Sequence, residues 1–251
     1  MQSREFEGLK AVVTAAGAGI GRAAAGLLAA RGATVACLDL DVGALAEPMR
    51  GWVCDVGNDA AVREAIASAA AWMGGIDVLV NNVGIGALGD VAANSDEEWH
   101  RVLDINVVSV ARVTRAALPW LRQSRSAAIV NTCSAVAATG LPNRVLYSAT
   151  KGAVLAMTRA MAADFVEQPI RVNCVMPGVV DTPWQQRAVA GAADPKMLRA
   201  QLEAFQPMGR LSSADEVAHA IAYLASPASG STTGIDLPVD GGLHALRVPR
   251  A

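Results

Sequence analysis

The 251-residue sequence is long enough for one large α/β domain or two small ones, and 53% of its residues are hydrophobic whereas only 4% are aromatic. This richness in small aliphatic residues excludes a disordered chain and suits helices packed closely on a buried sheet. There are 21 basic and 23 acidic residues, with no long block of either sign. The charge pattern therefore argues against nucleic acid or an anionic membrane as a partner, and favours a soluble protein that acts on a small molecule.

The first ten residues and the cysteines bear on location. Residues 1–10 are too charged for a secretory signal, and no apolar run approaches the roughly 18 residues that span a bilayer. The cysteines lie far apart without a C-x-x-C pair, and we interpret all four as reduced packing residues: Cys37, Cys54, Cys133 and Cys174. We expect a cytoplasmic protein. The three histidines are also widely separated, so the sequence predicts no metal site.

Seven short apolar runs alternate with stretches that are mostly alanine-rich and helical in composition. The runs cover residues 10–14, 33–38, 51–54, 76–80, 127–132, 170–175 and 235–239. This alternation predicts right-handed crossovers and a doubly wound, seven-stranded parallel sheet with helices on both faces. No linker interrupts the series, which predicts one α/β domain over residues 1–251.

Proline and glycine predict three local features. The segment between Asp39 and Gly51 has room for a short helix of about two or three turns, which Pro48 would end. Pro238 removes a donor from the last strand, so that strand is expected at a sheet edge. Residues 181–207 contain Pro183, Gly191 and the Asp194-Pro195 pair and are predicted to be irregular; a segment of this length is typical of a lid, here at about residues 182–210.

The stretch "TAAGAGIG" at residues 14–21 follows the first apolar run and opens a helical segment. Such glycines let the backbone approach a pyrophosphate at a helix N-terminus, although they also permit a simple tight turn. Asp39 ends the second run, 18 residues beyond Gly21, where a ribose-binding acid is expected, the alternative being an ordinary strand-end acid. Its charge would repel a 2′-phosphate and Ala18 adds no cation to the loop, which favours NAD over NADP. Asp55 could bond the adenine amine or cap the next helix.

The stretch "YSATK" places Tyr147 and Lys151 four residues apart, on one face of a helix. A neighbouring ammonium favours the phenolate form of a tyrosine, which makes this pair suited to proton transfer. Taken alone, the pair could equally be a packing tyrosine and a surface lysine. Ser134 ends the fifth apolar run, thirteen residues before Tyr147, and parallel strand ends are where α/β sheets gather reactive groups.

The motifs together resemble the short-chain dehydrogenase/reductase family over nearly the full length. Those that carry the resemblance are, in the family's order, "TAAGAGIG", "NNVG" at 81–84, Asn106 in "DINVVSV", Ser134, "YSATK", "PGVVDT" at 177–182 and "VDGG" at 239–242. The resemblance implies a Rossmann-like fold and hydride transfer between a nicotinamide and a secondary alcohol or ketone.

The resemblance also implies roles for single residues. Tyr147 would be the general acid/base, Lys151 would stabilise the tyrosinate and hold the nicotinamide ribose, and Ser134 would bond the reacting oxygen. Asn106 would anchor a proton-relaying water chain, and Thr182 would touch the carboxamide. The implied cofactor contacts are Thr14, Gly17, Gly19, Ile20, Gly21, Asp39, Asp55, Val56, Asn82, Gly84, Tyr147, Lys151, Pro177, Gly178, Val180 and Thr182.

Ala15 stands where the family usually has glycine, and alanine would carry a steric cost if this position needs positive φ. The variant is similar to that of the cytosolic type 2 (R)-3-hydroxybutyrate dehydrogenases and related sugar-acid dehydrogenases. In those enzymes basic residues grip a substrate carboxylate, and the matching positions are Arg144 and Arg187. A third basic position falls on Phe205, which argues against hydroxybutyrate itself.

The implied substrate is a hydroxy acid or its keto partner, in contact with Ser134, Arg144, Tyr147 and Arg187, and walled by Trp184. A neutral alcohol or steroid is the alternative substrate class, and a catalytically silent NAD-binding oligomer is the alternative to an enzyme. The apolar helices predicted at residues 102–121 and 148–165 have more hydrophobic surface than one sheet face covers. Since family members pair these helices, a homotetramer is expected.

Overall fold

The computed structural model describes residues 4–43 and 45–248. Its strands are β1 (Lys10–Thr14), β2 (Thr34–Asp39), β3 (Met49–Val53), β4 (Val78–Asn81), β5 (Ala127–Thr132), β6 (Ile170–Pro177), β7 (Val180–Asp181), β8 (Ser212–Ser213) and β9 (Asp236–Val239). Its α-helices are α1 (Gly19–Ala30), α2 (Asp59–Met73), α3 (Asp96–Leu103), α4 (Ser109–Leu121), α5 (Val145–Asp164), α6 (Pro183–Ala190), α7 (Pro195–Phe205) and α8 (Ala214–Ala225).

The main sheet has the strand order β3-β2-β1-β4-β5-β6-β9, and all of its pairings are parallel. The predicted seven-stranded, doubly wound sheet is therefore confirmed, with every run placed within two residues of its strand. β9 lies at the edge, as Pro238 predicted. Sequence order reverses between β1 and β4, and ligands of such sheets bind at the carboxyl ends of the strands beside this switch point.

Both faces of the sheet are covered, as the continuous apolar runs require. Neighbouring residues of β1 show this directly: Val13 packs into one core cluster and Val12 into the opposite one, and both are fully buried. Leu28 of α1 and Ile221 of α8 belong to the cluster around Val13. Ile66 of α2 belongs to the cluster around Val12, which also contains residues of α4 and α5.

The predicted short helix between β2 and β3 is wrong, because the described residues of this segment, 40–43 and 45–48, form none. Gly43 adopts a φ of 57°, which a right-handed helix does not accept. The carboxylate of Asp41 accepts a 3.0 Å hydrogen bond from the Gly43 N–H, an Asx-type turn that replaces a helical start.

The prediction that residues 181–207 are irregular is also wrong, since they contain β7, α6 and α7. The prolines that suggested breaks occupy first helical positions, where the missing N–H has no intrahelical partner to lose. Thr182 and Asp194 precede them as N-caps, and their side chains accept hydrogen bonds from Gln185 N (3.3 Å) and Met197 N (2.9 Å).

The predicted helix at residues 102–121 is divided by a π-helical turn, Asp104–Val108. Such turns are rare and often occur at functional sites. This one carries Asn106, whose side chain is 1% exposed. None of the helices in the described part of the chain is long and apolar enough to cross a membrane.

Candidate active site

A cavity of about 740 Å³ opens at the carboxyl ends of the strands. Its walls include the glycine loop and Asp39 at one end, and the side chains of Ser134, Tyr147 and Lys151 further along. Residues that the sequence separates by more than a hundred positions therefore share one chamber.

The glycine loop joins β1 to α1 by a path that only small residues fit. A Cβ on Gly17 would lie 2.1 Å from the Asp41 carbonyl oxygen, and one on Gly21 would lie 2.0 Å from that of Ala15. Ala15 itself has a φ of 51°, so the steric cost foreseen for alanine is present. Ala18 is the N-cap of α1 and provides no side-chain cap, which leaves the first N–H groups of the helix to be met by another acceptor.

Asp39 is tied to this loop. Its Oδ2 accepts a 2.8 Å hydrogen bond from the N–H of Gly17, and its Oδ1 accepts one of 2.7 Å from Leu40 N. The structure thus brings together the acid and the loop that spacing alone had connected.

Arg22 was not singled out from the sequence. Its Nη1 donates to the Gly17 carbonyl oxygen at 3.4 Å, which places a cation beside the loop. The sequence feature that could have identified Arg22 is its position directly after the last glycine of the motif, within the first turn of α1.

Asn82 and two threonines join the ends of three neighbouring strands. The N–H of Asn82 donates to Thr14 Oγ1 at 2.9 Å, and its Oδ1 accepts from Thr132 Oγ1 at 3.0 Å. Its Nδ2 also donates to the carbonyl oxygen of Ala15 at 3.4 Å. These bonds hold the glycine loop against β4 and β5.

Tyr147 and Lys151 lie on one face of α5, as their spacing predicted. Lys151 is 3% exposed, and its Nζ donates a 2.8 Å hydrogen bond to the carbonyl oxygen of Thr132. The same ammonium lies 5.8 Å from the centre of the Tyr147 ring, within cation–π range. Ser134 follows β5, and its Oγ lies 3.5 Å from the carbonyl oxygen of Pro177 and accepts from Val136 N at 3.4 Å.

Asn106 supports this group from behind without lining the cavity. Its Oδ1 accepts from Ile85 N at 2.8 Å, and its Nδ2 donates to Ile85 O at 2.9 Å and to Thr150 Oγ1 at 3.1 Å. Gly84, one residue before Ile85, must be small because its Cβ would come within 3.2 Å of Lys151 Nζ. The loop after β4 is therefore fixed against α5.

Asp55 and Val56 lie outside the cavity wall. Asp55 does not cap the next helix, because Asn58 is the N-cap of α2; the Asp55 Oδ1 accepts from Gly57 N at 2.9 Å instead. The Val56 carbonyl oxygen accepts from Arg112 Nη1 at 3.3 Å. Arg112, also missed by sequence reasoning, forms a two-point ion pair with Asp104 (2.6 and 3.1 Å) that raises the pKa of its guanidinium.

The turn after β6 is held by another residue that the sequence did not reveal. Gln206, at the end of α7, is fully buried and donates to the carbonyl oxygens of Val179 (3.1 Å) and Arg210 (2.6 Å). A Cβ on Gly178 would lie 2.4 Å from Gln206 Oε1. Thr182, besides capping α6, brings its Cγ2 within 3.4 Å of the Cβ position of Gly19, so the end of this turn faces the glycine loop.

The opposite end of the cavity combines two arginines with aromatic rings. Arg144 Nη1 donates to the carbonyl oxygen of Ala87 at 3.4 Å, and the guanidinium of Arg187 has no hydrogen-bond or ion-pair partner within residues 4–43 and 45–248. Trp184 and Phe205 line the same space and are 60% and 40% exposed. The predicted substrate residues and Phe205 are therefore together.

The cysteines and histidines add no further centre. Across the described ranges there is no cluster of three potential metal ligands. All four cysteines are buried free thiols, and burial raises the pKa of Cys37 and of Cys54 to about 11. The chemistry of the cavity therefore depends on the phenol of Tyr147, the ammonium of Lys151 and the hydroxyl of Ser134. Together these groups can exchange a proton with the oxygen of a bound molecule.

The comparisons with known proteins agree with this geometry. A family model described as enoyl-(acyl carrier protein) reductase matches residues 14–244. The chain is 42% identical to cis-4-hydroxycyclohexanecarboxylate dehydrogenase of Sinomonas cyclohexanicum, over 94% of this chain and 96% of that protein. It is 39% identical to dehydrogenase/reductase SDR family member 6 of Rattus norvegicus (94% and 98%). The ligand-free structure of Thermoplasma acidophilum aldohexose dehydrogenase superimposes with a TM-score of 0.91 at 32% identity, covering 99% of this chain and 100% of that one.

Proposed function

The chain belongs to the short-chain dehydrogenase/reductase family and is an oxidoreductase acting on CH–OH groups, and we propose that it interconverts a hydroxy acid and its keto acid with NAD. One observation carries the proposal. Ser134, Tyr147 and Lys151 line the same cavity as Asp39 and the two arginines, Arg144 and Arg187.

The glycine loop fits a dinucleotide. Gly17 and Gly21 leave no room for side chains, and the uncapped start of α1 offers N–H groups to a pyrophosphate. When bound, the nicotinamide supplies or accepts the hydride. Asp39 would hold the adenosine ribose, Lys151 the nicotinamide ribose, and Thr182 the carboxamide. Of the remaining proposed contacts, Gly19, Ile20, Asn82, Gly84, Pro177, Gly178 and Val180 line the cavity, whereas Thr14, Asp55 and Val56 lie behind it.

The proton is handled by the chain's own groups. Tyr147 passes it to the substrate oxygen in reduction and takes it in oxidation, while Ser134 donates a hydrogen bond to the same oxygen. Lys151 stabilises the tyrosinate with its nearby ammonium. Asn106 fixes the loop that faces Lys151, and its role in a water relay stays a prediction.

The preference for NAD follows from the charge of Asp39. Like charges 4 Å apart repel by about 4 kcal/mol at an effective dielectric of 20, so a 2′-phosphate beside this carboxylate is disfavoured even with Arg22 close by. Asp39→Asn removes the charge and keeps an amide oxygen that can accept from Gly17 N, while the second acceptor, which Leu40 N uses, is lost. We expect the ratio of NADP to NAD dissociation constants, measured by calorimetry, to fall at least about tenfold. An unchanged ratio contradicts the proposal.

The hydroxy acid class rests on the arginines. Neither Arg144 nor Arg187 has a carboxylate partner within the described residues, and a guanidinium fork suits a carboxylate. The relative from Sinomonas cyclohexanicum carries a substrate carboxylate in its name.

A panel of hydroxy acids and neutral secondary alcohols, assayed by the absorbance of reduced nicotinamide with NAD and NADP in parallel, tests the function. Arg144→Ala and Arg187→Ala should each raise KM for hydroxy acids about tenfold to hundredfold, the worth of a charge-assisted hydrogen bond. Arg63→Ala, on α2 and outside the cavity wall, is the matched control. If kcat/KM for hydroxy acids is unaltered in both variants, a neutral alcohol is favoured as the substrate. If the protein binds the cofactor but turns over no alcohol, the catalytically silent NAD-binding oligomer is favoured.

The domain bounds, the lid, the oligomeric state and the location are also part of this proposal. Residues 1–251 form one domain with a lid at about residues 182–210, and the protein works as a cytoplasmic homotetramer. Exposed apolar side chains beside α4 and α5, such as Val108, Val145 and Val166, support pairing between copies. Light scattering that gives a monomer mass at micromolar concentration rejects the tetramer, and recovery of the activity in a membrane fraction rejects the location.

A further inference from the structure

We infer that the acid is joined to an apolar, ring-like or branched hydrocarbon body, which Trp184 and Phe205 clasp from two sides. This inference rests on the proposed function and narrows it, since it excludes polyhydroxylated acids as preferred substrates.

The walls beyond the two arginines are apolar. They come from separate parts of the chain, namely the segment after β5, α6, α7 and the turn after β9, and the side chains are Val136, Leu141, Trp184, Leu202, Phe205 and Leu243. Such a lining gains free energy by removing hydrocarbon from water, and of these six side chains only Trp184, through its indole N–H, can bond a hydroxyl.

Few polar side chains are left at this end of the cavity. Among the lining residues that the structure describes, Asn82 and Thr132 bond each other beside the glycine loop, and Thr182 caps α6. Besides Ser134 and Tyr147, the remaining hydroxyl or amide side chain of the lining is that of Gln185. The carboxylate of Asp39 lies at the far, loop end. A sugar acid with several hydroxyls would lose its hydration here without replacement.

The two aromatic rings are held in place by their sequence neighbours. Trp184 comes two residues after Thr182, the N-cap of α6, and its ring atoms lie 3.6 Å from the Cβ position of Gly86. Phe205 precedes Gln206, whose buried amide is bonded to Val179 O. Both residues are therefore anchored near the turn after β6; both line the cavity, and they are 60% and 40% exposed. A bound hydrocarbon body would cover part of this apolar surface.

The test compares substrates of similar size on the full-length enzyme with NAD. An alicyclic hydroxy carboxylate should be turned over with kcat/KM at least about hundredfold above that of a linear aldonate, the cost of roughly two unpaired hydroxyls. Calorimetric titration of the enzyme–NADH complex with cyclohexanecarboxylate and with gluconate provides a reading that does not need turnover, and the former should bind more tightly.

Trp184→Ala and Phe205→Ala should each lower kcat/KM for the alicyclic acid about tenfold to hundredfold, mainly through KM. Lactate-sized hydroxy acids should be affected less than about threefold, and NAD binding should be unchanged. Met197→Ala is the control, because Met197 lies exposed on α7 outside the cavity wall. Equal or better turnover of the aldonate overturns the inference and leaves the proposed function standing, whereas turnover of neutral alcohols only overturns both.

Discussion

The ammonium of Lys151 lies 5.8 Å from the centre of the Tyr147 ring and is fixed there by a 2.8 Å hydrogen bond to the carbonyl oxygen of Thr132. The cation is 3% exposed, so bulk water screens it little. β5 supplies the acceptor and α5 supplies both side chains. The sheet thus sets the position of this charge beside the Tyr147 ring.

Tyr147→Phe removes the hydroxyl that we propose transfers the proton and leaves the ring in place. We expect kcat to fall by about 10²- to 10⁴-fold, the usual contribution of a general acid/base, with the dissociation constant for NAD changed less than about threefold. The sequence has two tyrosines, and the other, Tyr223, is 52% exposed on α8. Tyr223→Phe is therefore a matched control that should keep the full rate. Equal rates in the two variants would falsify the assignment of Tyr147.

Asn106→Ala should damage both stability and turnover. It leaves the N–H and C=O of Ile85 without their side-chain partner in a partly buried place and removes one of the two hydrogen bonds of the Thr150 hydroxyl, which still donates to the Tyr147 carbonyl oxygen; each lost bond is worth about 1 kcal/mol. The free energy of unfolding in urea should fall by about 2–4 kcal/mol, and kcat should drop because the loop facing Lys151 loosens.

The comparison for that variant is Asn58→Ala. Asn58 caps α2 by accepting from Ala60 N and Ala61 N, far from the chemistry, and losing a cap costs about 1 kcal/mol. This variant should be destabilised with kcat intact. If the two variants lower kcat equally, Asn106 has no role beyond general stability.

Much of this architecture could be predicted because the relevant signals are local. The seven apolar runs became strands since a strand buried on both faces must be apolar throughout, and Pro238 identified an edge because it lacks an N–H. Tyr147 and Lys151 share a face because the helical period requires it. The glycine loop and Asp39 were connected by a spacing that the crossover length sets.

The wrong and the missing predictions concern residues whose structural role depends on their surroundings. Pro183 and Pro195 were interpreted as breaks, although the same residue type begins a helix when an N-cap precedes it. Gln206 gave no signal because a glutamine is normally exposed, whereas here its amide is fully buried and donates to the carbonyl oxygens of Val179 and Arg210. Arg112 bonds the distant Val56 carbonyl oxygen, a tertiary contact that no single-sequence pattern contains, whereas Arg22 could have been found from its position directly after the glycine motif.

Ala15→Gly tests the strained start of the glycine loop. An alanine with positive φ costs about 1 kcal/mol or more, whereas glycine in the unfolded chain costs about 0.4–1 kcal/mol of entropy. We expect the variant to be neutral or more stable by up to about 1 kcal/mol in urea unfolding. Ala16→Gly next to it is the control; Ala16 is fully buried, so that change should destabilise by about 1 kcal/mol or more. Clear destabilisation by Ala15→Gly would show that the loop carries no such strain.

Glu216→Gln gives a pH-dependent prediction. Two hydrogen bonds from Arg210, of 2.7 and 2.9 Å, together with one from the Ser213 N–H, lower the pKa of Glu216 to about 2. A carboxyl with a depressed pKa stabilises the fold above its unfolded pKa of about 4.5, and this contribution is lost as the pH falls toward 2. The ion pair is 56% and 42% exposed, so at pH 7 the variant should lose no more than about 1 kcal/mol.

Glutamine can still accept from the Ser213 N–H, so the capping box at the start of α8 survives and the substitution isolates the charge. The difference in unfolding free energy between the wild type and the variant should narrow steadily when urea titrations are repeated from pH 5 down toward pH 3. Raising the salt concentration at pH 7 should shrink the difference as well, since exposed charges are screened. A difference that stays constant over both series would mean that Glu216 acts only as a cap and not through its charge.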